Sequence, residues 1–360
     1  MAGDPILTFH SDEHASHAPT VEFLHGRMVP YFEVPQRIDV LRERLSRAGL
    51  IRLETPAAAI SRNELMATHD PGMIDYLEGL SVSVADLIRE DFKVYGLEHM
   101  LLGDEYFYES IFPTRLMRAR ADSDDMPEQR GFYIFDNTSP VGKGTWKAVL
   151  HSATLAYAGA QALLGGESRA YALCRPPGHH AGRDFAGGYC YLNNAAIAAN
   201  MLRAEGRVAL LDIDYHHGNG TQAIFWHDPE VLFVSLHSDP TVEYPHYAGY
   251  ADEIGAPGAE HATFNVPLPH GTGEREYLAA LAGALERIRE FGAEWLVVSL
   301  GFDTFKDDPM AAFELEVSSF AEVGRAIAGL GLPTLYVQEG GYHVDSLGEL
   351  AVSFFGGVVG

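Results

Sequence analysis

Short apolar runs rich in Val, Ile and Leu alternate with longer stretches in which apolar residues return every three to four positions. That rhythm is the layout of βαβ units, in which strands buried on both faces read as near-continuous hydrophobic runs and amphipathic helices pack against them. It predicts strands at Ile6–Phe9, Ala170–Cys174, Val208–Asp212, Val231–Leu236, Trp295–Leu300 and Thr334–Gln338. It predicts helices at Gln36–Ala48, Trp146–Leu164, Leu192–Glu205, Glu274–Phe291 and Phe313–Leu330. The expected class is α/β, a central parallel sheet flanked by helices on both faces, formed as one domain over 1–360. From about 94 to 140 the rhythm lapses, and Tyr106, Phe107, Tyr108 and Phe112 precede the charged run RLMRARADSDDMPEQR. A stretch of this length is either a functional lid or interface loop, or a solvated insertion.

Composition narrows the function. Fifty acidic residues against 25 basic ones give a net charge of −25, a field that repels nucleic acid and anionic lipid and attracts cations. The two cysteines, Cys174 and Cys190, form no CxxC or disulfide-rich pattern, which suits a reducing compartment, and both read as small buried packing groups. The N-terminus lacks a basic region followed by a long apolar run, and no apolar segment is long enough to span a bilayer. A cytoplasmic protein without nucleic-acid or membrane partners is expected.

The polar clusters follow the C-terminal ends of predicted strands, where open α/β sheets place their ligand sites. AYALC leads into RPPGHHAG with His179 and His180, VALLDID into YHHGNG, WLVVSLGF into Asp303, and TLYVQ into EGGYH with Glu339 and Tyr342. Asp214 and His216 share a side by the period of two of extended backbone, and Asp303 can join them from a neighbouring strand. Imidazole and carboxylate together suit zinc or a similar divalent ion, and three protein ligands leave a coordination position open, as catalytic sites do. A single histidine among 17 is more simply a core or surface residue, as His10, His14, His17 and His25 illustrate. The joint pattern is what points to a metal site.

RPPGHH, GGYCYLNNAAIAA, LLDIDYHHGNGTQ, SLGFDTFKDDP and QEGGY together resemble the histone deacetylase and acetylpolyamine amidohydrolase superfamily. VPYFEVPQRIDVL, the mid-chain loop and FDNTSPVGKGTW resemble its acetylpolyamine amidohydrolase branch. The resemblance implies the arginase/deacetylase fold and makes Asp214, His216 and Asp303 the ligands of zinc, with ferrous iron the alternative in vivo. It implies that His179 and His180 are an acid/base pair oriented by Asp212 and Asn219, the latter a departure from the aspartate of many deacetylases. Tyr342 would donate to the scissile carbonyl oxygen, in a loop that Gly340 and Gly341 let approach the metal. Gly188 and Tyr189 match one wall of a substrate tunnel and Tyr244 the facing aromatic, although Tyr189 also reads as an ordinary core residue.

The resemblance further implies a structural potassium ion held by Asp212, Asp214, His216, Ser235 and Leu236. A second monovalent site would use Phe225, Asp228 and Val231. Relatives of this broad fold that hydrolyse guanidines with two manganese ions carry extra carboxylates. Here Gly218 and Phe305 stand where those would be, which disfavours that activity. A non-catalytic binding module would have lost Tyr342, a histidine or a ligand, and all are present.

The expected reaction is removal of acetyl groups from small acetylated polyamines such as acetylputrescine and acetylcadaverine, giving acetate and a free amine. The alternative is an acyl-lysine deacylase. In the polyamine branch the mid-chain loop helps form a dimer, so a homodimer through 94–140 is expected. The distal ammonium of the substrate would meet one of Glu22, Glu105, Glu109, Asp122, Asp124, Asp125 or Glu128.

Overall fold

The computed structural model describes residues 4–24, 26–96, 106–112 and 131–360. The strands among them are β1 (Ile6–Phe9), β2 (Val21–Leu24), β3 (Arg27–Pro30), β4 (Ile51–Glu54), β5 (Tyr106–Phe107), β6 (Val141–Gly142), β7 (Arg169–Ala172), β8 (Val208–Asp212), β9 (Val231–Ser238), β10 (Thr263–Leu268), β11 (Trp295–Leu300) and β12 (Thr334–Gln338). The helices are α1 (Gln36–Arg47), α2 (Arg62–Met66), α3 (Pro71–Val94), α4 (Thr145–Leu164), α5 (Asn194–Leu202), α6 (Asn219–Phe225), α7 (Glu274–Phe291), α8 (Val317–Ala328) and α9 (Val344–Val359).

Eight strands form one sheet in the order β10-β9-β8-β11-β12-β7-β1-β4. Every pairing in it is parallel. Alternate residues of each central strand feed opposite cores, as the period of two requires. Ala209, Leu211, Leu296, Val298 and Leu300 join the side chains of α1, α7, α8 and α9 on one face. Val208, Leu210 and Val297 join α4 and α5 on the other. A third cluster packs α3 against α4 and the segment around Tyr133 and Ile134.

Boundaries shift where side chains intervene. The helix expected from Leu192 starts at Asn194, because Asn193 Oδ1 caps it by accepting from Ala196 N at 2.9 Å. The helix expected from Phe313 starts at Val317, since the chain is still extended at Leu315, which bridges to Phe305. β7 ends at Ala172, before Cys174, and β9 continues to Ser238. The two sheet edges, β4 and β10, escape the hydrophobic-run pattern, as do α3 and α9. The described parts of the 94–140 stretch are not simply solvated: Tyr133 and Ile134 are buried and β5 pairs with β6.

β8, β11, β12 and β7 are consecutive in the sheet, so their C-terminal ends converge on one edge.

Candidate active site

Each of those four strand ends delivers a polar group. Beyond β7 the chain turns through Gly178 to His179 and His180, and the loop is tied to the end of β12. There Glu339 Oε2 accepts from Gly178 N at 2.6 Å and from His179 N at 3.2 Å. The other Glu339 oxygen accepts from Ser299 Oγ of β11 at 3.1 Å. Three adjacent strand ends are thereby fixed to one another.

His179 Nδ1 lies 3.0 Å from Asp212 Oδ2 and His180 Nδ1 lies 2.7 Å from Asn219 Oδ1. Both oxygens can only accept, so each Nδ1 carries the proton and each Nε2 is left to face the cavity chemistry. Burial works against a cationic His179, but the Asp214 and Asp212 carboxylates outweigh it and raise its pKa to about 10. His180 is held well below the usual imidazole range by burial and by the neighbouring His179 and His216. The paired rings, with centroids 4.0 Å apart, thus sit in opposite electrostatic environments.

Asp214, His216 and Asp303 come together, all buried, with one ligand-type atom from each within 4.8 Å of the others. His216 Nδ1 stands 3.3 Å from both Asp214 Oδ1 and Asp303 Oδ2. The remaining oxygens are positioned by backbone amides, Asp214 Oδ2 by Gly340 N at 2.8 Å and Asp303 Oδ1 by Tyr215 N at 3.0 Å. Asp303 Oδ2 is buried without a hydrogen-bond donor. Two buried carboxylates and an imidazole with an orphaned oxygen form a donor set that fits a divalent cation. A Cβ on Gly340 would sit 2.4 Å from Asp303 Oδ2 and 2.5 Å from Asp214 Oδ2, so only glycine leaves this cradle open.

Tyr342 follows Gly341 and closes the site from the β12 side. Asp308 Oδ2 accepts from Tyr342 N at 2.6 Å and from His343 N at 3.1 Å. Arg37 stacks 4.8 Å above the Tyr342 ring and donates to Gly341 O and Glu339 O, both at 2.6 Å. Glu33 bridges Arg37 to Arg175, burying all three charges together. A cavity of about 460 Å³ opens above these groups, its walls including His180, His216, Tyr189, Tyr244, Tyr342 and Met310. Gly188 also lines it. Tyr189 is therefore at once a packed residue, 6% exposed, and a wall of the cavity.

A histone deacetylase domain profile matches residues 31–358. The chain belongs to the histone deacetylase family. Similar members include acetylpolyamine amidohydrolase 1 of Pseudomonas aeruginosa, 40% identical over 363 residues and 99% of each chain. The acetylpolyamine amidohydrolase of Mycoplana ramosa is 38% identical over 97% of this chain and 98% of its own. Among solved structures, an acetylpolyamine aminohydrolase from Burkholderia pseudomallei superposes with a TM-score of 0.90 at 40% identity, covering 98% of each chain. The deacetylase family is metal-dependent, and this member has groups that could hold a metal ion.

The remaining sequence expectations are placed as follows in this deacetylase-family chain. Asp212 of β8 lies opposite Ser235 of β9 in register, with Leu236 next along the strand. Ser235 Oγ also meets His237 Nδ1 at 2.8 Å. Phe225, Asp228 and Val231 share the turn between α6 and β9, where Asp228 N donates to Phe225 O at 2.9 Å. Glu109 does not face the cavity: it is buried and accepts from the Tyr76 hydroxyl of α3, which removes it as a partner for a substrate ammonium. Glu22 is not an open rim residue either, being 1% exposed with neither oxygen in a hydrogen bond. Burial pushes its carboxyl up to about 7, opposed by the Tyr189 hydroxyl and aided by Glu33 and Asp136. Glu105, Asp122, Asp124, Asp125 and Glu128 lie outside the described residues. Arg37, Glu33, Asp136 and Asp308 were not legible as site residues, because each ties to a side chain or backbone group far off in sequence: Gly341 for Arg37, Arg175 for Glu33, Gly188 and Tyr244 for Asp136, and Tyr342 for Asp308. FDNTSP and KDDP, which contain Asp136 and Asp308, were the available signal.

Proposed function

We propose that this chain hydrolyses the acetyl amide of small acetylated polyamines, releasing acetate and the free amine. What carries the reading is the cavity itself, a slot with aromatic sides and with His180, His216 and Tyr342 among its walls, which suits an unbranched amine stem. The full-length likeness to acetylpolyamine amidohydrolases points the same way. We assign zinc, or ferrous iron in vivo, to Asp214, His216 and Asp303. When bound, the ion supplies Lewis acidity to the acetyl carbonyl and brings the pKa of a water to about 7.

The protein groups divide the rest of the work. His180 Nε2 is the basic nitrogen that takes the proton of the attacking water, its ring held by Asn219. His179, its ring held through Nδ1 by Asp212, is the group we assign to hand a proton to the departing amine. Tyr342 donates its hydroxyl to the carbonyl oxygen as negative charge develops there. Tyr189 and Tyr244 hold the methylene stem and exclude water. Glu22, buried behind Tyr189 and off the cavity wall, is the carboxylate we assign to act on the substrate's ammonium end at a distance, without contact.

Potassium is proposed at Asp212, Asp214, His216, Ser235 and Leu236, with a second ion at Phe225, Asp228 and Val231. A homodimer through 94–140, a single domain and a cytoplasmic setting complete the reading. No helix among the described residues is long and apolar enough to cross a membrane.

The deciding experiment compares kcat/KM of the metal-loaded protein on N-acetylputrescine, N-acetylcadaverine and an acetyl-lysine peptide. A preference for the diamines of about a hundredfold, roughly 2.7 kcal/mol of transition-state discrimination, is expected. The reverse preference assigns the chain to acyl-lysine deacylation.

A further inference from the structure

Asp136 has no role in the chemistry described so far, yet every oxygen position of its carboxylate is in use. Oδ1 accepts from Thr138 N at 3.0 Å and from Thr138 Oγ1 at 2.9 Å, which fixes the carboxylate's own orientation. Oδ2 accepts from two sources that belong to opposite sides of the cavity, Gly188 N at 3.0 Å and the Tyr244 hydroxyl at 2.7 Å. One oxygen atom thus joins both aromatic walls.

The surroundings make this junction rigid. Phe135 N donates to Ala186 O at 2.9 Å and Ala186 N to Tyr133 O at 2.7 Å, so the Asp136 segment is laced to the one that carries Gly188 and Tyr189. The Phe135 ring stacks on that of Tyr244, 6.3 Å apart and inclined by 18°. Gly188 and Tyr189 have φ of +56° and +66°, a left-handed pair that aims the Tyr189 ring, and an L side chain holds such a conformation only where its surroundings impose it. A Cβ on Gly188 would meet His180 Cδ2 at 2.4 Å and the Tyr244 hydroxyl at 2.8 Å. Glycine therefore lets the two walls and the acid/base pair approach one another, and Asp136 holds them there.

We propose that Asp136 is a positioning residue that closes the two tunnel walls into a collar of fixed width and so selects slender acetylated amines over peptides. The collar rests on the substrate reading of the preceding subsection. A carboxylate is required because the arrangement needs an acceptor at both oxygens. Asparagine offers one acceptor oxygen and an NH2 group, so one pair of donors would face another donor. With four donors already satisfied, the Asp136 carboxylate also has little capacity left for the backbone N–H groups that a peptide would bring to the rim.

The test uses the metal-loaded protein and three variants, Tyr244→Phe, Asp136→Asn and the double variant, each assayed on N-acetylputrescine and on an acetyl-lysine peptide. Tyr244→Phe keeps the ring and removes only the tie, so it reads the collar even if Asp136→Asn folds poorly. Each single change is expected to lower kcat/KM for the diamine about tenfold, mainly through KM, and to move the diamine-to-peptide ratio about tenfold toward the peptide. The double variant is expected to move the ratio no further than the stronger single one, because both changes cut one contact. Equal losses on both substrates would overturn the collar, as would additive effects of the two changes. A wild-type protein that prefers the peptide would overturn the polyamine reading instead. In that case the collar still stands or falls on whether the variants shift the ratio and fail to add.

Discussion

Tyr342 reaches the cavity because its backbone is gripped on both sides, by Asp308 at its N–H and by Arg37 at the preceding carbonyl. Removing only its hydroxyl should leave that grip intact. Tyr342→Phe is therefore expected to retain fold and metal content while kcat falls by about 10² to 10³, the usual loss for one oxyanion donor. Steady-state kinetics beside metal analysis checks this, and unchanged turnover would remove the hydroxyl from the reaction. Asp303→Ala should instead abolish both metal binding and activity, since it deletes one of the three proposed ligands. Glu22 gives a pH signature. Its carboxyl holds a proton up to about 7 in the folded protein against 4.5 ordinarily, so the folded state binds more protons between those values. The contribution of Glu22 to stability is then fully present below about 4.5 and is lost as pH rises to about 7, by on the order of 3 kcal/mol. Asp303 and Glu339 are raised to about 7 as well, so Glu22→Gln should make that decline shallower rather than remove it, as read in denaturant titrations at pH 5 and pH 8. Over the same rise the wild-type KM for a cationic substrate should fall, and that of the variant should not.

At the scale of elements, the legible parts were those whose burial is two-sided. β8, β11 and β12 are buried along all or nearly all their lengths and read directly from unbroken apolar runs. β10 did not, because an edge strand tolerates Asn265 and Pro267 in its middle. β4 shows one buried residue followed by three exposed ones, too little pattern to register. The cluster proposed to hold the metal was legible for a related reason: Asp214 and His216 follow β8 and Asp303 follows β11, so strand periodicity and strand ends brought the three together. Asp308 acts on backbone amides across the fold and Asp136 on an amide and a hydroxyl there, and no spacing encodes such partners. Element packing also makes a prediction. A Cβ on Gly159 of α4 would lie 2.4 Å from Leu335 Cδ1 of β12, so Gly159→Ala should push helix from sheet. A loss of about 1–3 kcal/mol is expected, visible as a lower denaturant midpoint.

The molecule as a whole carries a net charge of −25, and its substrate as proposed is a cation. Long-range attraction of that kind is screened within about 10 Å at 0.1 M salt. The kcat/KM for N-acetylputrescine should therefore fall as ionic strength rises, whereas that for a neutral N-alkylacetamide should hardly change. A neutral substrate with the same salt response would show that the effect is not steering. The orphaned Asp303 oxygen has a consequence at this scale too. Three neighbouring strand ends, β8, β11 and β12, meet around the buried carboxylates of Asp214, Asp303 and Glu339, one oxygen of which, Asp303 Oδ2, has no hydrogen-bond donor. A cation bound as proposed would act as a removable staple across the middle of the sheet, so loading it should protect the whole chain against heat and proteolysis. The enzyme would then be most durable when it is also competent, and starvation for metal would mark it for degradation as well as silence it.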